Sequence, residues 1–164
     1  MRRPTTRSGK RATSDKPAHR LHNAKGSMPA SSPDAIRPKI GLEASVELAV
    51  PFEWTIRRYD PTLPAVLSTP AMIGMMELAA AQSVRDALPP GSITVGTRVE
   101  VDHLKAVTVG AIVNAHARLS GYKGRFLVFE TVARSGEDVI GRGRVFRAIV
   151  EPTRFQSVAE SRQR

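Results

Sequence analysis

The chain contains no cysteine among its 164 residues, and aromatic residues make up only 5% of it. Without cysteine, a disulfide framework, a thiolate metal site and a cysteine nucleophile are all excluded. The four histidines are too scattered to predict a zinc cluster. No apolar run approaches the roughly 20 residues that a membrane-spanning helix needs, and no apolar stretch follows the first arginines as a secretory signal requires. We therefore expect a cytoplasmic protein with one domain of ordinary size and no metal.

The net charge of +10 suggests a nucleic-acid partner, but the charge is unevenly distributed. Residues 1–40 hold ten Lys/Arg and two acids, whereas residues 41–164 hold fifteen and thirteen. Residues 1–38 contain five prolines and few large apolar side chains, so they cannot bury enough surface to offset chain entropy. We predict a disordered basic tail over 1–38. Two alternatives for this tail stay open: it could bind phosphates weakly as a nucleic-acid arm, or translation could start at Met28. Nucleic acid is not the expected partner.

Beyond the tail, hydrophobic patterning predicts a domain over 39–155 and a polar C-terminal tail over 156–164. Leu42–Val50 alternates between apolar and polar residues, which indicates a half-buried strand. Phe52–Arg58 could form a second short strand or an extended arm, and the two prolines of Tyr59–Leu67 favour a loop.

A helix is predicted over 70–81, with Thr69 as its N-cap and Pro70 at its first position. Its sequence, PAMIGMMELAAA, is apolar on all sides and has Glu77 as its only ionisable residue, so the helix should be buried on most sides. Four strands follow, over Ile93–Leu104, Ala111–Leu119, Phe126–Ala133 and Val139–Val150. This order predicts an α+β fold in which a curved antiparallel sheet wraps around one long central helix. One sheet cannot cover every side of that helix, so we expect a homodimer, with a tetramer left open.

Two residues stand out as candidates for chemistry. Glu77 is a carboxylate that is costly to bury unless it is paired, and it could serve proton transfer or simply form an ion pair with Arg147. Alternation in its strand places His103 on one face with Ile93, Val95, Thr97, Val99 and Val101. A histidine on such a face is more often structural than catalytic. Thr69 places a hydroxyl at the positive end of the helix dipole.

Glycines and arginines provide the remaining candidates. Gly96 interrupts a predicted strand, which indicates a bulge, a bend or the close approach of a ligand. Gly141 and Gly143 could allow packing against the helix. The last strand also carries Arg142, Arg144 and Arg147. These arginines are either ordinary surface charges or contacts to a phosphate.

Residues 42–155 resemble the hotdog-fold thioesterases, and most closely the fluoroacetyl-CoA thioesterase family. Three stretches carry the resemblance: Ser68–Ala80, Val95–His103 and Gly141–Val150. That family has a threonine at the helix start, a glutamate eight residues later and a histidine seven residues after a Gly-Thr pair. The matching positions here are Thr69, Glu77 and His103, with Gly96 and Thr97 as the pair.

The resemblance implies hydrolysis of an acyl-CoA thioester without a cofactor. It implies that Glu77 is the nucleophile or the general base, that Thr69 assists by hydrogen bonding, and that His103 donates a proton or stabilises charge. It also implies that the region of Gly96 and Thr97 binds the acyl group and that Arg147 lies near the substrate. The fold occurs in homodimers whose active sites lie at the subunit interface.

One stretch departs from the family pattern. Fluoroacetyl specificity in the family is associated with an aromatic lid before the catalytic threonine, and Pro61–Leu67 contains no Phe, Tyr or Trp. A different small or medium acyl group is therefore expected. The alternatives are a non-catalytic module that binds acyl-CoA or another small ligand, and a hotdog hydratase. A hydratase needs an Asp/His pair, and Asp60 has no histidine near it in the sequence.

Overall fold

The computed structural model describes residues 37–162. The predicted basic tail therefore lies outside the described residues, except for positions 37 and 38, and so does Met28. Seven regular elements follow one another along the chain: β1 (Glu43–Ala49), α1 (Thr69–Val84), β2 (Ile93–His103), β3 (Ile112–Lys123), β4 (Phe126–Ser135), β5 (Asp138–Val150) and α2 (Pro152–Ser161). The five strands form one antiparallel sheet in the order β1-β3-β4-β5-β2. The predicted α+β architecture is confirmed, and β1 and β2 are the two edges of the sheet.

The core lies between α1 and the inner face of the sheet. Alternate residues of β3 and β4 are buried, as the period of two in their sequences predicts. They are Val113, Ala115, Ala117, Leu119, Leu127, Phe129, Thr131 and Ala133. Small residues let the helix approach this surface closely, since Ala79 and Ala80 of α1 are fully buried.

The sheet of one chain covers only part of α1. Six of its 16 residues are buried, while Gly74 is exposed and Leu78 keeps 42% of its surface accessible. The sequence predicted a helix buried on most sides. Within one chain, the uncovered side includes a strip along Thr69, Ile73 and Glu77, of which Thr69 is exposed and the other two are half-buried.

The segment before α1 forms two short 3₁₀ turns rather than a strand. The turns cover Phe52–Trp54 and Ile56–Arg58, and each closes through a hydrogen bond that spans three residues. A β-bridge joins Thr55 to Leu67, and the N–H of Ser68 donates to the carbonyl oxygen of Trp54 at 2.8 Å. The segment is thereby fastened to the start of α1.

A β-bulge in β2 reverses part of the predicted face pattern. The sequence places Ile93, Val95 and Thr97 on the same face as His103, but the pairing with β5 shifts between Gly96 and Arg98. In a β-bulge, two residues of one strand lie opposite a single residue of the partner strand. As a result, Thr94 is buried whereas Ile93 is 44% exposed, and Gly96 lies against the helix.

The C-terminal segment, expected as a polar tail, contains the helix α2, all of whose residues are exposed. Proline at its first position suits a helix start. No helix within residues 37–162 is long and apolar enough to cross a membrane.

Candidate active site

The first pair of candidate residues joins the start of α1 to the end of β2. The hydroxyl Oγ1 of Thr69 lies 2.9 Å from Nδ1 of His103. Thr69 was predicted as the N-cap, which is wrong: the cap is Ser68, whose hydroxyl accepts from the N–H of Ala71 at 3.4 Å. Because Ser68 has extended backbone and takes the capping role, the hydroxyl of Thr69 is available to contact the imidazole.

One nitrogen of His103 has no protein partner. Its Nε2 atom is buried and makes no hydrogen bond, while Nδ1 contacts Thr69. A buried polar atom without a partner is costly unless it serves a function or a ligand. His103 is paired in register with Gly141 on β5. A Cβ at Gly141 would lie 2.5 Å from the side chain of Met72, so this glycine makes room for the helix, as predicted.

The second pair lies further along the same side of α1. Nη1 of Arg147 is 3.2 Å from Oε2 of Glu77, with 8% and 28% of the two side chains exposed. Arg147 also donates from Nε to Oγ1 of Thr94 at 2.9 Å and from Nη2 to the Thr94 carbonyl oxygen at 2.8 Å. Burial lowers the pKa of the Arg147 guanidinium from its usual value, and the nearby carboxylate of Glu77 opposes that shift.

Gly96 allows the Glu77 carboxylate to lie against the backbone of β2. A Cβ at Gly96 would stand 2.7 Å from Oε2 of Glu77, which is a severe overlap. The register shift beside Gly96 agrees with the bulge alternative. The group that lies close to this glycine is the protein's own carboxylate, and the close approach of a ligand stays a prediction. The bulge beside it is held by Thr97, whose hydroxyl donates to the carbonyl oxygen of Phe146 at 3.0 Å.

The two pairs lie apart within one chain. Thr69 and Glu77 are eight residues apart on one helix, which at 1.5 Å per residue is about 12 Å. Ile73 and Val99 lie between the pairs. A cleft of about 370 Å³ opens there, lined by Ile73, Glu77, Gly96, Thr97, Arg98 and Val99. The chain therefore brings Thr69 to His103 and Glu77 to Arg147 and Gly96, but it does not gather all of them at one point.

A second cavity of about 310 Å³ lies on another side of α1. It is bounded by the helix, β1 and the 3₁₀ turns, and most of its lining is apolar. The lining residues are Leu48, Glu53, Trp54, Arg58, Tyr59, Ser68, Ala71, Gly74, Met75 and Leu78. Ser68, which lines this cavity, directly precedes Thr69 in the sequence.

The other arginines of β5 do not share this site. Arg142 and Arg144 are exposed, whereas Arg147 is buried. Nη2 of Arg144 contacts Oε2 of Glu100 at 2.6 Å, and Arg98 also pairs with Glu100. Surface ion pairing accounts for Arg144, and its contact to a phosphate stays an untested hypothesis.

Sequence reasoning missed Thr94 and Ser68. Thr94 precedes Gly96 by two residues and accepts hydrogen bonds from Arg147. The predicted alternation placed Thr94 on the outer face, because it ran through Gly96 without a register shift, although a bulge was one of the alternatives for that glycine. Both Ser68 and Thr69 are good caps, so residue type alone could not choose between them. Asp60, considered for a hydratase, accepts hydrogen bonds from Thr62 at 2.8 and 2.6 Å, and these lower its pKa.

Within residues 37–162, no group of three or more histidine, aspartate or glutamate residues is arranged to hold a metal ion.

Comparison with known proteins identifies a family and a fold. Residues 50–153 match the family model described as fluoroacetyl-CoA-specific thioesterase. A curated relative, the fluoroacetyl-CoA thioesterase of Streptantibioticus cattleyicolor, is 31% identical over 125 residues, which cover 73% of this chain and 90% of the relative.

Solved structures agree with this match. A variant of a fluoroacetyl-CoA thioesterase in complex with acetyl-CoA superposes with a TM-score of 0.70 at 28% identity, covering 77% of this chain and 99% of the other. A thioesterase superfamily member from Thermus thermophilus gives a TM-score of 0.71 at 26% identity, with 77% and 94% covered. The antiparallel sheet around a central helix is therefore the hotdog fold predicted from the sequence.

Proposed function

Since the chain belongs to the fluoroacetyl-CoA-specific thioesterase family, we propose that it is an acyl-CoA thioesterase that releases a free acid and coenzyme A. The observation that carries this proposal is the Glu77 carboxylate. It lies at an open cleft, against β2 at Gly96 and beside the buried guanidinium of Arg147. A fixed, charged carboxylate at a cleft can attack a thioester carbonyl or activate water toward it.

Two routes are consistent with this geometry. In the first, a Glu77 oxygen attacks the carbonyl carbon, the carbon–sulfur bond breaks, and water then hydrolyses the anhydride. In the second, Glu77 takes a proton from water as the water oxygen adds to the carbonyl carbon, and the tetrahedral intermediate expels the thiolate. Backbone N–H groups near Gly96 would stabilise the developing oxyanion. In both routes, the leaving sulfur gains a proton, and His103, held by Thr69, is the proposed donor. The proton released by the attacking water then returns to His103, so that Glu77 is again a carboxylate after each turnover.

We propose that the working site forms in a homodimer. β2 is an edge strand in the described chain, and its apolar residue Val99 is 39% exposed. Val99 lies near the middle of the stretch between Gly96 and His103. Antiparallel pairing of β2 with its copy around a two-fold axis near Val99 would bring His103 of one subunit close to Glu77 of the other. Thr69 and Glu77 lie about 12 Å apart along α1 of one chain. In the dimer, the Thr69–His103 pair of one subunit would instead meet the Glu77 of the other.

The acyl group is proposed to be small or of medium length. Pro61–Leu67 contains no aromatic residue, and the apolar cavity of about 310 Å³ beside the start of α1 falls at the lower end of the volumes typical of ligand pockets. We propose that the reacting end of the acyl group binds at Gly96 and Thr97 beside Glu77 of one subunit. In the proposed homodimer, the rest of the acyl chain would pass the start of α1 of the other subunit and enter that subunit's cavity, with Leu48, Trp54 and Met75 in its wall.

The direct test is thiol release from a panel of acyl-CoA thioesters from acetyl to decanoyl. We expect turnover by the wild-type chain and a loss of at least about 1,000-fold in Glu77→Ala. Glu130→Ala, on an exposed position of β4, is the matched control and should retain wild-type turnover. Equal turnover by wild type and Glu77→Ala would refute the role of Glu77. Binding of acyl-CoA without turnover across the panel would favour a non-catalytic binding module.

A further inference from the structure

The guanidinium of Arg147 contacts two residues: it is hydrogen-bonded to Thr94 and forms an ion pair with Glu77. Thr94 accepts two hydrogen bonds from the guanidinium, through its side chain at 2.9 Å from Nε and through its backbone carbonyl at 2.8 Å from Nη2. Nη1 is the guanidinium nitrogen that forms the ion pair with the Glu77 carboxylate, 3.2 Å from Oε2, and it makes no hydrogen bond within the described residues. A planar guanidinium with two anchored nitrogens has little freedom left for the third.

Because this contact is buried, the residue at position 94 must itself supply the hydroxyl acceptor, as threonine or serine does. Thr94 and Arg147 retain only 9% and 7% of their accessible surface, so water does not readily replace a lost partner. If the hydroxyl were removed, Nε of a buried cation would have no acceptor, which is costly. The guanidinium would then shift toward another acceptor, and Glu77 would lose the fixed position of its counter-charge.

We infer that Thr94 is a positioning residue for hydrolysis, acting through Arg147 to fix the Glu77 carboxylate in its reactive orientation. This inference rests on the proposed function and adds a residue to it. Thr94 itself need not touch the substrate. The bulge at Thr97 supports the same arrangement, because the register shift beyond Gly96 places Thr94 on the inner face beside Arg147.

The test compares Thr94→Val with Thr94→Ser. Valine keeps the shape and removes the acceptor, so we expect kcat to fall about tenfold or more with KM nearly unchanged, whereas serine should restore kcat. The matched control is Thr131→Val. Thr131 is 4% exposed in the same sheet. Its hydroxyl contacts the carbonyl oxygen of Gly143 at 3.3 Å and the sulfur of Met76 on α1 at 3.6 Å, and it contacts neither Arg147 nor Glu77. We expect Thr131→Val to lower the melting temperature about as much as Thr94→Val does, but to leave kcat unchanged.

A double-mutant cycle separates positioning from simple loss of stability. Arg147→Lys keeps the charge but cannot serve Thr94 and Glu77 in the same planar geometry, so it should lower kcat by itself. If Thr94 acts through Arg147, the double variant Thr94→Val/Arg147→Lys should be no slower than Arg147→Lys. Additive losses, or wild-type kcat in Thr94→Val, would overturn the inference. If Thr94→Val fails to fold, wild-type kcat in Arg147→Lys would overturn it instead.

A measurement without substrate distinguishes this inference from the proposed function. In ¹⁵N-labelled protein, the Nε–H of Arg147 should exchange slowly with solvent, because it is buried and bonded to Thr94. Its exchange should accelerate in Thr94→Val and not in Thr131→Val. Slow exchange in a wild-type chain that hydrolyses no thioester would refute the proposed function while leaving the anchoring of Arg147 intact. Rapid exchange in the wild type would refute the anchoring itself.

Discussion

The Thr69–His103 pair and the Glu77–Arg147 pair lie along the same side of α1, yet they are held very differently. The first depends on one hydrogen bond of 2.9 Å, and Nε2 of its histidine has no partner. In the second, Arg147 donates two hydrogen bonds to Thr94, and the glutamate fits against a glycine that leaves space for it. The buried Nη1 of Arg147 has no hydrogen-bond partner within the described residues, so this pair too has one unpartnered nitrogen.

This difference matches the two chemical tasks proposed above for Glu77 and His103. A group that attacks a carbonyl must be held in one orientation, because small misplacements cost much of the rate. A group that passes a proton to a departing sulfur benefits from a free nitrogen and some freedom to follow it. We therefore interpret the Glu77 end as the preorganised half of the site and the His103 end as the adaptable half.

The largest effect in this comparison is expected from Gly96→Ala. The added Cβ would overlap the Glu77 carboxylate and displace it from its position, so we expect kcat/KM to fall about 100-fold. The control is Gly121→Ala on β3, where a Cβ meets nothing within 4 Å and activity should persist. Wild-type kcat/KM in Gly96→Ala would show that the glutamate does not depend on this position.

A smaller loss is expected from Thr69→Val. The substitution removes the hydroxyl that contacts His103 but leaves Ser68 as the helix cap, so stability should change little. We expect kcat to fall about tenfold, the effect of losing one hydrogen bond that orients a proton donor. Thr69→Ser should behave like the wild type. If valine and serine were equally active, the bond to His103 would have no part in turnover.

The smallest effect is a change in chain-length preference, expected from Gly74→Leu. This residue lines the 310 Å³ cavity, and the space around its Cβ is open, so a leucine side chain can enter the cavity. Turnover of octanoyl-CoA should fall several-fold, while acetyl-CoA turnover should persist because neither pair is touched. An unchanged ratio of the two rates would exclude this cavity as the acyl compartment.

The sequence predicted the regular parts of this molecule well because their signals are local. The alternation in β3 and β4 is unbroken over the buried positions, and the apolar run of α1 has no competing interpretation. The spacing of Thr69 and Glu77 on one helix also fixes their separation.

The parts that sequence reasoning missed depend on contacts between distant residues. The bulge in β2 inserts a single residue, and it reverses the facing of Thr94 because side chains alternate along a strand. Gly96 indicated a bulge as one alternative, but the sequence does not show whether the register shifts there or which side chains change face. The role inferred for Thr94 depends on Arg147, 53 residues away, and the contact of Thr69 with His103 joins residues 34 apart.

The most direct test of a site shared between subunits is to co-express Glu77→Ala and His103→Ala chains. If Glu77 of one subunit works with His103 of the other, each mixed dimer contains one intact site. Random mixing should then restore about a quarter of wild-type thioesterase activity, with native mass spectrometry confirming the mixed species. If mixed dimers form and remain as inactive as each parent, a site built across the interface is contradicted.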